Sequence, residues 1–256
     1  MRDLTYPPII AAARLGFRAL NLRFSMTGTH HIPRAGGVLL AFNHISYVDF
    51  VLGGFAAQPS KRLVRFMAKR ELFDHRFTGP LMRSLHHINV DPSEVLDAYH
   101  VAVQYLRDGE AVGIFPEATI SRSFEIKEIK TGATRMAAEA GVPLVPVVLW
   151  GTQRIATKDH PRDFSRGKTI AINVGEPLYP TGTDAATEAA QLRSVMRTML
   201  DEAIRSYPPE EQPPGSWWLP ASHGGGAPTL EEARRLDRDE QRLRAERRRA
   251  ARADGG

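Results

Sequence analysis

The pattern that most constrains this chain is a series of short, mainly apolar stretches separated by segments with helical periodicity. Val38–Phe42 is apolar at every position and is entered through Gly36-Gly37. Leu63–Ala68, Ala111–Phe115, Leu144–Leu149 and Thr169–Val174 follow, with a weaker candidate at His87–Val90. A strand with one wet face alternates polar and apolar residues, whereas a strand apolar throughout is covered on both faces. Between these stretches lie helical patterns at 48–57, Phe77–Leu85, Ser93–Arg107, Thr131–Ala140 and Ala185–Arg205. In the third of these, Ser93 stands where a cap is expected, and Val95, Tyr99, Ala102 and Leu106 share one face. Gly109 then ends the pattern. Strands alternating with helices predict an α/β fold, a mostly parallel central sheet flanked by helices.

The two ends of the chain differ from this body. Pro7-Pro8 opens a helical pattern over 7–26 in which Ile10, Ala13, Phe17, Leu20 and Phe24 line one face and Arg14, Arg18 and Arg23 lie off it. Such a helix suits a membrane interface, and equally suits packing on the domain core. Residues 1–30 are assigned to this membrane-facing segment and 31–206 to the folded domain. Residues 207–229 hold six of the 18 prolines and four glycines, the composition of a linker, with Trp217-Trp218 inside it. Thr229 and Glu232 form a capping box ahead of a charged tail, 230–256, expected as a solvated helix or a partly ordered segment.

The formal charge of +5 suggests an anionic partner until it is divided along the chain. Residues 1–35 carry five Arg and one Asp, and 241–256 carry six Arg and two acids, +4 each. The 205 residues between them hold 23 basic and 26 acidic side chains, a net of −3. A near-neutral body with basic ends argues against a nucleic-acid groove and for an anionic surface met at the termini. The absence of cysteine excludes disulfides, zinc-thiolate sites and a thiol nucleophile. No apolar run approaches the ~18–20 residues needed to span a bilayer. No signal-peptide pattern opens the chain. The expected location is the cytoplasmic face of a membrane, peripherally bound.

The chemistry concentrates where apolar strands stop. Val38–Phe42 ends abruptly in Asn43-His44, and Asp49 follows five residues after the histidine. Open α/β sheets bind ligands at the carboxyl ends of their strands. If the chain turns there, Asp49 accepts a proton from one ring nitrogen of His44 and leaves the other as a base. The logic is that of a catalytic triad whose hydroxyl arrives with the substrate. Spacing alone is weak, since about half a match is expected by chance. His86 and Asp91 provide a second match, but along an extended run that would separate them by ~16 Å. A hydrogen-bonded core histidine is the plain alternative for His44. The strand ending at Phe115 runs into Pro116-Glu117-Ala118-Thr119-Ile120-Ser121-Arg122, and the one ending at Ala68 into Lys69-Arg70-Glu71-Leu72. One edge would thus gather a base, carboxylates, hydroxyls and cations, as an anionic substrate with a reacting hydroxyl requires.

These residues resemble the glycerolipid acyltransferases typified by 1-acylglycerol-3-phosphate O-acyltransferase. Asn43, His44 and Asp49 match the family's N-H-x4-D motif, and Phe115–Ser121 is similar to its F-P-E-G-T-R-S. Val142–Val147 followed by Gly151-Thr152 matches its V-P-x-V-P-V and G-T, Lys69–Leu72 its K-x-E-L, and Ile129–Ala133 its F-K-x-G-A. The resemblance covers about residues 30–205. Ala118 and Ile120 replace the family's Gly and Arg, and Asn89-Val90-Asp91-Pro92 lacks the arginine that often closes its second motif. Those arginines are thought to hold the acceptor's phosphate, and Arg122, Lys127 and Lys130 lie close enough in sequence to substitute.

The resemblance implies that 31–206 is an acyltransferase catalytic domain. His44 is then the general base, Asp49 the residue that orients it, and Asn43, Lys69, Glu117, Thr119, Ser121, Arg122 and Lys130 the substrate-binding set. It further implies an acyl-CoA or acyl carrier protein donor, a lysolipid acceptor, most simply 1-acylglycerol-3-phosphate, and neither cofactor nor metal. A different lysophospholipid or a glycolipid is the alternative acceptor. A membrane-associated adaptor is a further alternative, opposed by the polar quartet Asn43, His44, Asp49 and Glu117 at strand ends.

Overall fold

The computed structural model describes residues 5–253. Arg2, Asp3 and Asp254, which enter the charge of the two ends, lie outside the described residues. In chain order the regular elements are α1 (Tyr6–Ala19), β1 (Arg23–Thr27), β2 (Val38–Phe42), α2 (Asp49–Gly53), β3 (Val64–Lys69), α3 (Arg70–Asp74), α4 (Thr78–Ser84) and β4 (Ile88–Val90). They continue with α5 (Val95–Arg107), β5 (Ala111–Ile114), α6 (Gly132–Ala140), β6 (Leu144–Trp150), β7 (Thr169–Val174), α7 (Ala185–Arg205) and α8 (Leu230–Ala253). The seven strands form one sheet in the order β1-β7-β6-β2-β5-β3-β4. Every pairing is parallel except β6 with β7. The sheet is therefore mostly parallel and flanked by helices, as the alternation predicts.

Strand β2 shows why such stretches are apolar throughout. Leu39 and Ala41 enter one core with α5, α6 and α7, while Val38, Leu40 and Phe42 enter a second core with α2 on the opposite face. All five β2 side chains are buried.

The helix expected over 7–26 ends at Ala19. Asn21 takes a left-handed φ of 49°, and Arg23–Thr27 becomes an edge strand paired with β7, Phe24 opposite Ile170. Phe24 fits both a helical and an alternating pattern, and the alternation of Phe24 and Met26 with Arg23 and Ser25 prevails. Phe24 still meets Phe17 at 5.2 Å between ring centroids, so the contact that suggested one helix joins a helix to a strand. Arg23 accordingly leaves the helix and pairs with Glu211 at 2.5 Å. Ser93 is not the cap of α5: its hydroxyl donates to Asp91 at 2.6 Å, and the helix starts two residues later.

Residues 207–229 are packed rather than extended. Tyr207, Trp218, Leu219 and Ala227 are buried in the core that α7 covers. Trp218 lies 6.1 Å from Trp150, with the guanidinium of Arg154 over its ring. The glycines serve turns: a Cβ on Gly225 would fall 1.9 Å from the carbonyl oxygen of Leu219. Thr229 and Glu232 bond reciprocally at the start of α8. Among the described residues no helix is long and apolar enough to cross a membrane.

Candidate active site

The topology brings the ends of β2, β5 and β3 side by side at one sheet edge, with β2 between β6 and β5. Asn43 stands just past β2 and is fully buried. Its amide NH₂ donates to the Leu149 carbonyl at 3.0 Å and its oxygen accepts from the Leu149 N–H at 2.7 Å. Both ends of the side chain thus clamp β2 to β6. This corrects the expectation that Asn43 touches substrate: it fixes where the strand ends and so where His44 begins.

Asp49 folds back over the turn, as the five-residue spacing requires. Its Oδ2 accepts from His44 Nδ1 at 2.9 Å, from the Ile45 N–H at 2.8 Å and from the Ser46 N–H at 2.7 Å. Its Oδ1 accepts from the Thr152 hydroxyl at 2.6 Å. A fully buried carboxylate needs such partners, because desolvating it unpaired would cost several kcal/mol, at least ~3. A carboxylate can only accept, so Nδ1 of His44 carries the proton and Nε2 holds the free lone pair. The ring stacks on Phe115, centroids 4.3 Å apart, and keeps 22% of its surface exposed. The site therefore has a fixed tautomer, a braced ring and an open face.

Thr152 and Phe115 complete this arrangement. Thr152 lies 103 residues from Asp49 in sequence, and only the resemblance of Gly151-Thr152 to a motif pointed to it. Gly151 turns with φ 92°, where a Cβ would lie 2.3 Å from the Thr169 carbonyl oxygen. Its N–H donates to Gln153 Oε1 at 2.9 Å, so that amide is already occupied.

Glu117 is buried, and its two oxygens accept the backbone N–H groups of His44 and Lys127, each at 2.9 Å. Burial pushes its carboxyl up to about 7, while those two N–H bonds work in the opposite direction. It ties the segment after β5 to the histidine and does not face outward. Ser121 is likewise internal. Its hydroxyl donates to the Glu125 carbonyl at 2.8 Å, and its N–H donates to the His44 carbonyl at 2.7 Å. Glu117 and Ser121, expected as substrate contacts, are placed as positioning groups around His44. Ala118, where the resembling motif has glycine, adopts φ 62°. That conformation costs a residue with a Cβ roughly 1–2 kcal/mol. Ile120, in place of the motif's arginine, is 3% exposed.

The remaining expected contacts are dispersed. Lys69 is exposed at the end of β3, two strands from His44, and Lys130 is exposed beyond the loop. Thr119 is half-buried and accepts from the Lys127 ammonium. Arg122 is buried against three carboxylates, Asp159, Asp237 and Glu240. A direct contact between Arg122 and substrate therefore requires those carboxylates to give way. Asp91 bonds Ser93 and Arg70, and of the run before it only Ile88–Val90 is extended, His86 standing in a turn with φ 53°. Among the described residues no group of three or more His, Asp or Glu is placed to hold a metal ion.

Over 154 residues the chain is 32% identical to the 1-acyl-sn-glycerol-3-phosphate acyltransferase of Bacillus subtilis, covering 58% of this chain and 70% of that protein. The Borreliella burgdorferi protein of the same name is 25% identical over 206 residues, 79% of this chain and 80% of its own. The crystal structure of the 1-acyl-sn-glycerophosphate acyltransferase PlsC from Thermotoga maritima superposes with a TM-score of 0.67 over 78% of this chain and 80% of that one. At 24% identity that likeness speaks for the fold. The model of the acyltransferase family matches residues 23–150, from β1 through β6 and so across the edge that carries His44, Asp49 and Glu117. A histidine hydrogen-bonded to a buried aspartate lies inside the matched region, and the chain belongs to the acyltransferase family.

Proposed function

We propose that this acyltransferase moves a fatty acyl group from an acyl thioester, acyl-CoA or acyl carrier protein, to the free hydroxyl of 1-acylglycerol-3-phosphate. The observation that carries the proposal is the His44–Asp49 pair: Nδ1 bound to a carboxylate with four donors, and a ring still open to solvent. The acceptor hydroxyl gives its proton to Nε2 of His44 as its oxygen attacks the thioester carbonyl. The tetrahedral intermediate collapses by breaking the carbon–sulfur bond, and His44 returns the proton to the departing thiolate. Asp49 stabilises the imidazolium that exists between these two transfers. The thioester is already activated, so no acyl-enzyme is needed. Lys69 at the end of β3 and Thr119 and Lys130 after β5, although apart from one another, are the polar and cationic groups we assign to the acceptor end.

Ile120 favours weighing a second acceptor, because a buried isoleucine replaces the arginine that the resembling motif would turn toward a phosphate. One long-chain acyl-CoA offered with a panel of lysophospholipids and glycolipids decides between them. 1-Acylglycerol-3-phosphate is expected to be acylated with the highest kcat/KM. A zwitterionic or sugar-bearing acceptor turned over at least tenfold faster would reassign the substrate.

We place the protein on the cytoplasmic face of a membrane, peripherally bound. Support comes from α1, where Leu15 is 69% exposed between exposed Arg14 and Arg18. Basic residues near an anionic surface contribute ~1 kcal/mol each. Because β1 belongs to the sheet, the appropriate truncation removes residues 1–20 and spares Arg23. It is expected to lower affinity for vesicles containing phosphatidylglycerol by roughly tenfold or more, from Arg14, Arg18 and the exposed Leu15, since Phe17 on the apolar face packs on Phe55 of the domain instead. High salt should weaken the intact chain similarly. Vesicle binding indifferent to both would remove α1 from this role.

A further inference from the structure

A cluster of buried cations outside the histidine–aspartate pair is built in part on the loop whose backbone bonds to His44. Arg122, Lys127 and Lys158 converge with side chains only 8%, 13% and 13% exposed. Arg122 follows Ser121, whose N–H bonds the His44 carbonyl, and the Lys127 N–H bonds the same Glu117 carboxylate that holds the His44 N–H. Arg122 and Lys127 therefore belong to the loop that frames His44, and Lys158 joins them from beyond β6. Two carboxylates of α8 bridge them. Asp237 contacts Arg122 Nη1 and Lys127 Nζ, the latter at 3.1 Å. Glu240 Oε2 contacts Arg122 Nη2 at 2.8 Å and Lys158 Nζ at 3.0 Å. Asp159 holds the remaining guanidinium face through Nε at 2.5 Å and is itself 60% exposed.

We propose that Arg122, Lys127 and Lys158 form a phosphate-monoester site, and that Asp237 and Glu240 of α8 occupy it as an internal competitor that substrate must displace. This rests on the acceptor bearing a phosphate. Charge supports the exchange, since two carboxylates carry −2 and a phosphate monoester about −1.5 to −2 at neutral pH. Donor count supports it as well. When α8 leaves, two guanidinium nitrogens and two ammonium groups are released together for three phosphate oxygens, and planar Arg suits bidentate phosphate contact. Burial lowers the Lys158 ammonium and Arg122 adds to that, while Glu240 and Asp237 act in the opposite direction, as an anion in their place would.

The attachment of α8 supports displacement. Among its described side chains only Ala233 is buried, while Leu236 and Leu243 are 39% and 55% exposed. The helix is held by charge rather than by an apolar face, beyond Ala233 and the Arg234–Glu128 pair at 2.9 Å. Such a helix is removable by a competing anion without opening either core. The position vacated by the resembling motif's arginine at Ile120 is then served from the next turn of the same loop, with Lys158 contributed from beyond β6.

Two measurements on the full chain test this. In unmodified protein, inorganic phosphate at tens of millimolar should accelerate amide hydrogen exchange across 230–243 relative to chloride at equal ionic strength. The Asp237→Asn/Glu240→Gln double variant should bind inorganic phosphate about tenfold more tightly and show a KM for 1-acylglycerol-3-phosphate about tenfold lower, with kcat at saturation unchanged. Exchange indifferent to phosphate, or phosphate affinity and KM both unchanged in the double variant, would make α8 a fixed structural cover and overturn the proposal. The exchange measurement holds even if the double variant does not fold. Tighter phosphate binding without acylation of any phosphate-bearing acceptor would keep the α8 inference and discard the acceptor assignment. Efficient acylation with no response of α8 would do the reverse.

Discussion

Replacing His44 with alanine is expected to lower kcat for acyl transfer by about 10²–10⁴-fold, the range a positioned general base contributes. The effect should fall on kcat more than on KM, because the base acts when the hydroxyl proton is transferred rather than when the acceptor docks. The fold should survive. Asp49 loses one donor but keeps the Ile45 and Ser46 N–H groups and the Thr152 hydroxyl. The missing ring is partly exposed and leaves its cavity at the surface beside Phe115. Circular dichroism and melting of the variant, measured beside its initial rates, separate a catalytic loss from an unfolding one. Retention of most of the transfer activity would remove His44 from the mechanism.

The second large effect is expected at Asp49. Asparagine has almost the same shape but cannot stabilise an imidazolium by charge, and its NH₂ cannot accept. With its oxygen toward His44, Ile45 and Ser46, the amide still satisfies those donors, and its NH₂ faces a threonine hydroxyl able to accept. The flipped amide would set N–H against N–H and favour the wrong histidine tautomer. Asp49→Asn should therefore cost about 10²–10⁴ in kcat, the larger figure matching loss of tautomer control in a serine-protease triad. Exchanging charged for neutral hydrogen bonds should also remove about 1–3 kcal/mol of stability. Rates and melting measured together test both parts, and near-normal kcat in a folded Asp49→Asn variant would show that the charge is dispensable.

The sequence disclosed the sheet because burial on both faces leaves strands such as Val38–Phe42 with no polar position. It disclosed the His44–Asp49 pair because both residues lie on one turn, where spacing determines reach. It could not disclose which way other strand-end side chains face. Asn43 and Ser121 look available for substrate in one dimension, yet hydrogen bonding to Leu149 and Glu125 turns both inward. Long-range partners were the other blind spot. Thr152 reaches Asp49 across 103 residues and Asp237 reaches Arg122 across 115, and no local pattern encodes either closure. The helical pattern over 7–26 runs past the end of α1 at Ala19 because Phe24 satisfies two periodicities at once, and pairing with β7 decides between them.

Direct transfer of the acyl group to a lysolipid hydroxyl activated by His44 is the step on which the proposed function depends. Purified protein mixed with acyl-labelled acyl-CoA tests it in one experiment, by following free thiol, protein-bound label and labelled lipid with and without 1-acylglycerol-3-phosphate. Direct transfer predicts negligible thiol release and no protein-bound label without acceptor, and equal amounts of thiol and doubly acylated lipid once it is added. Stoichiometric label on the protein before acceptor is added, or thiol release that ignores the acceptor, would contradict it.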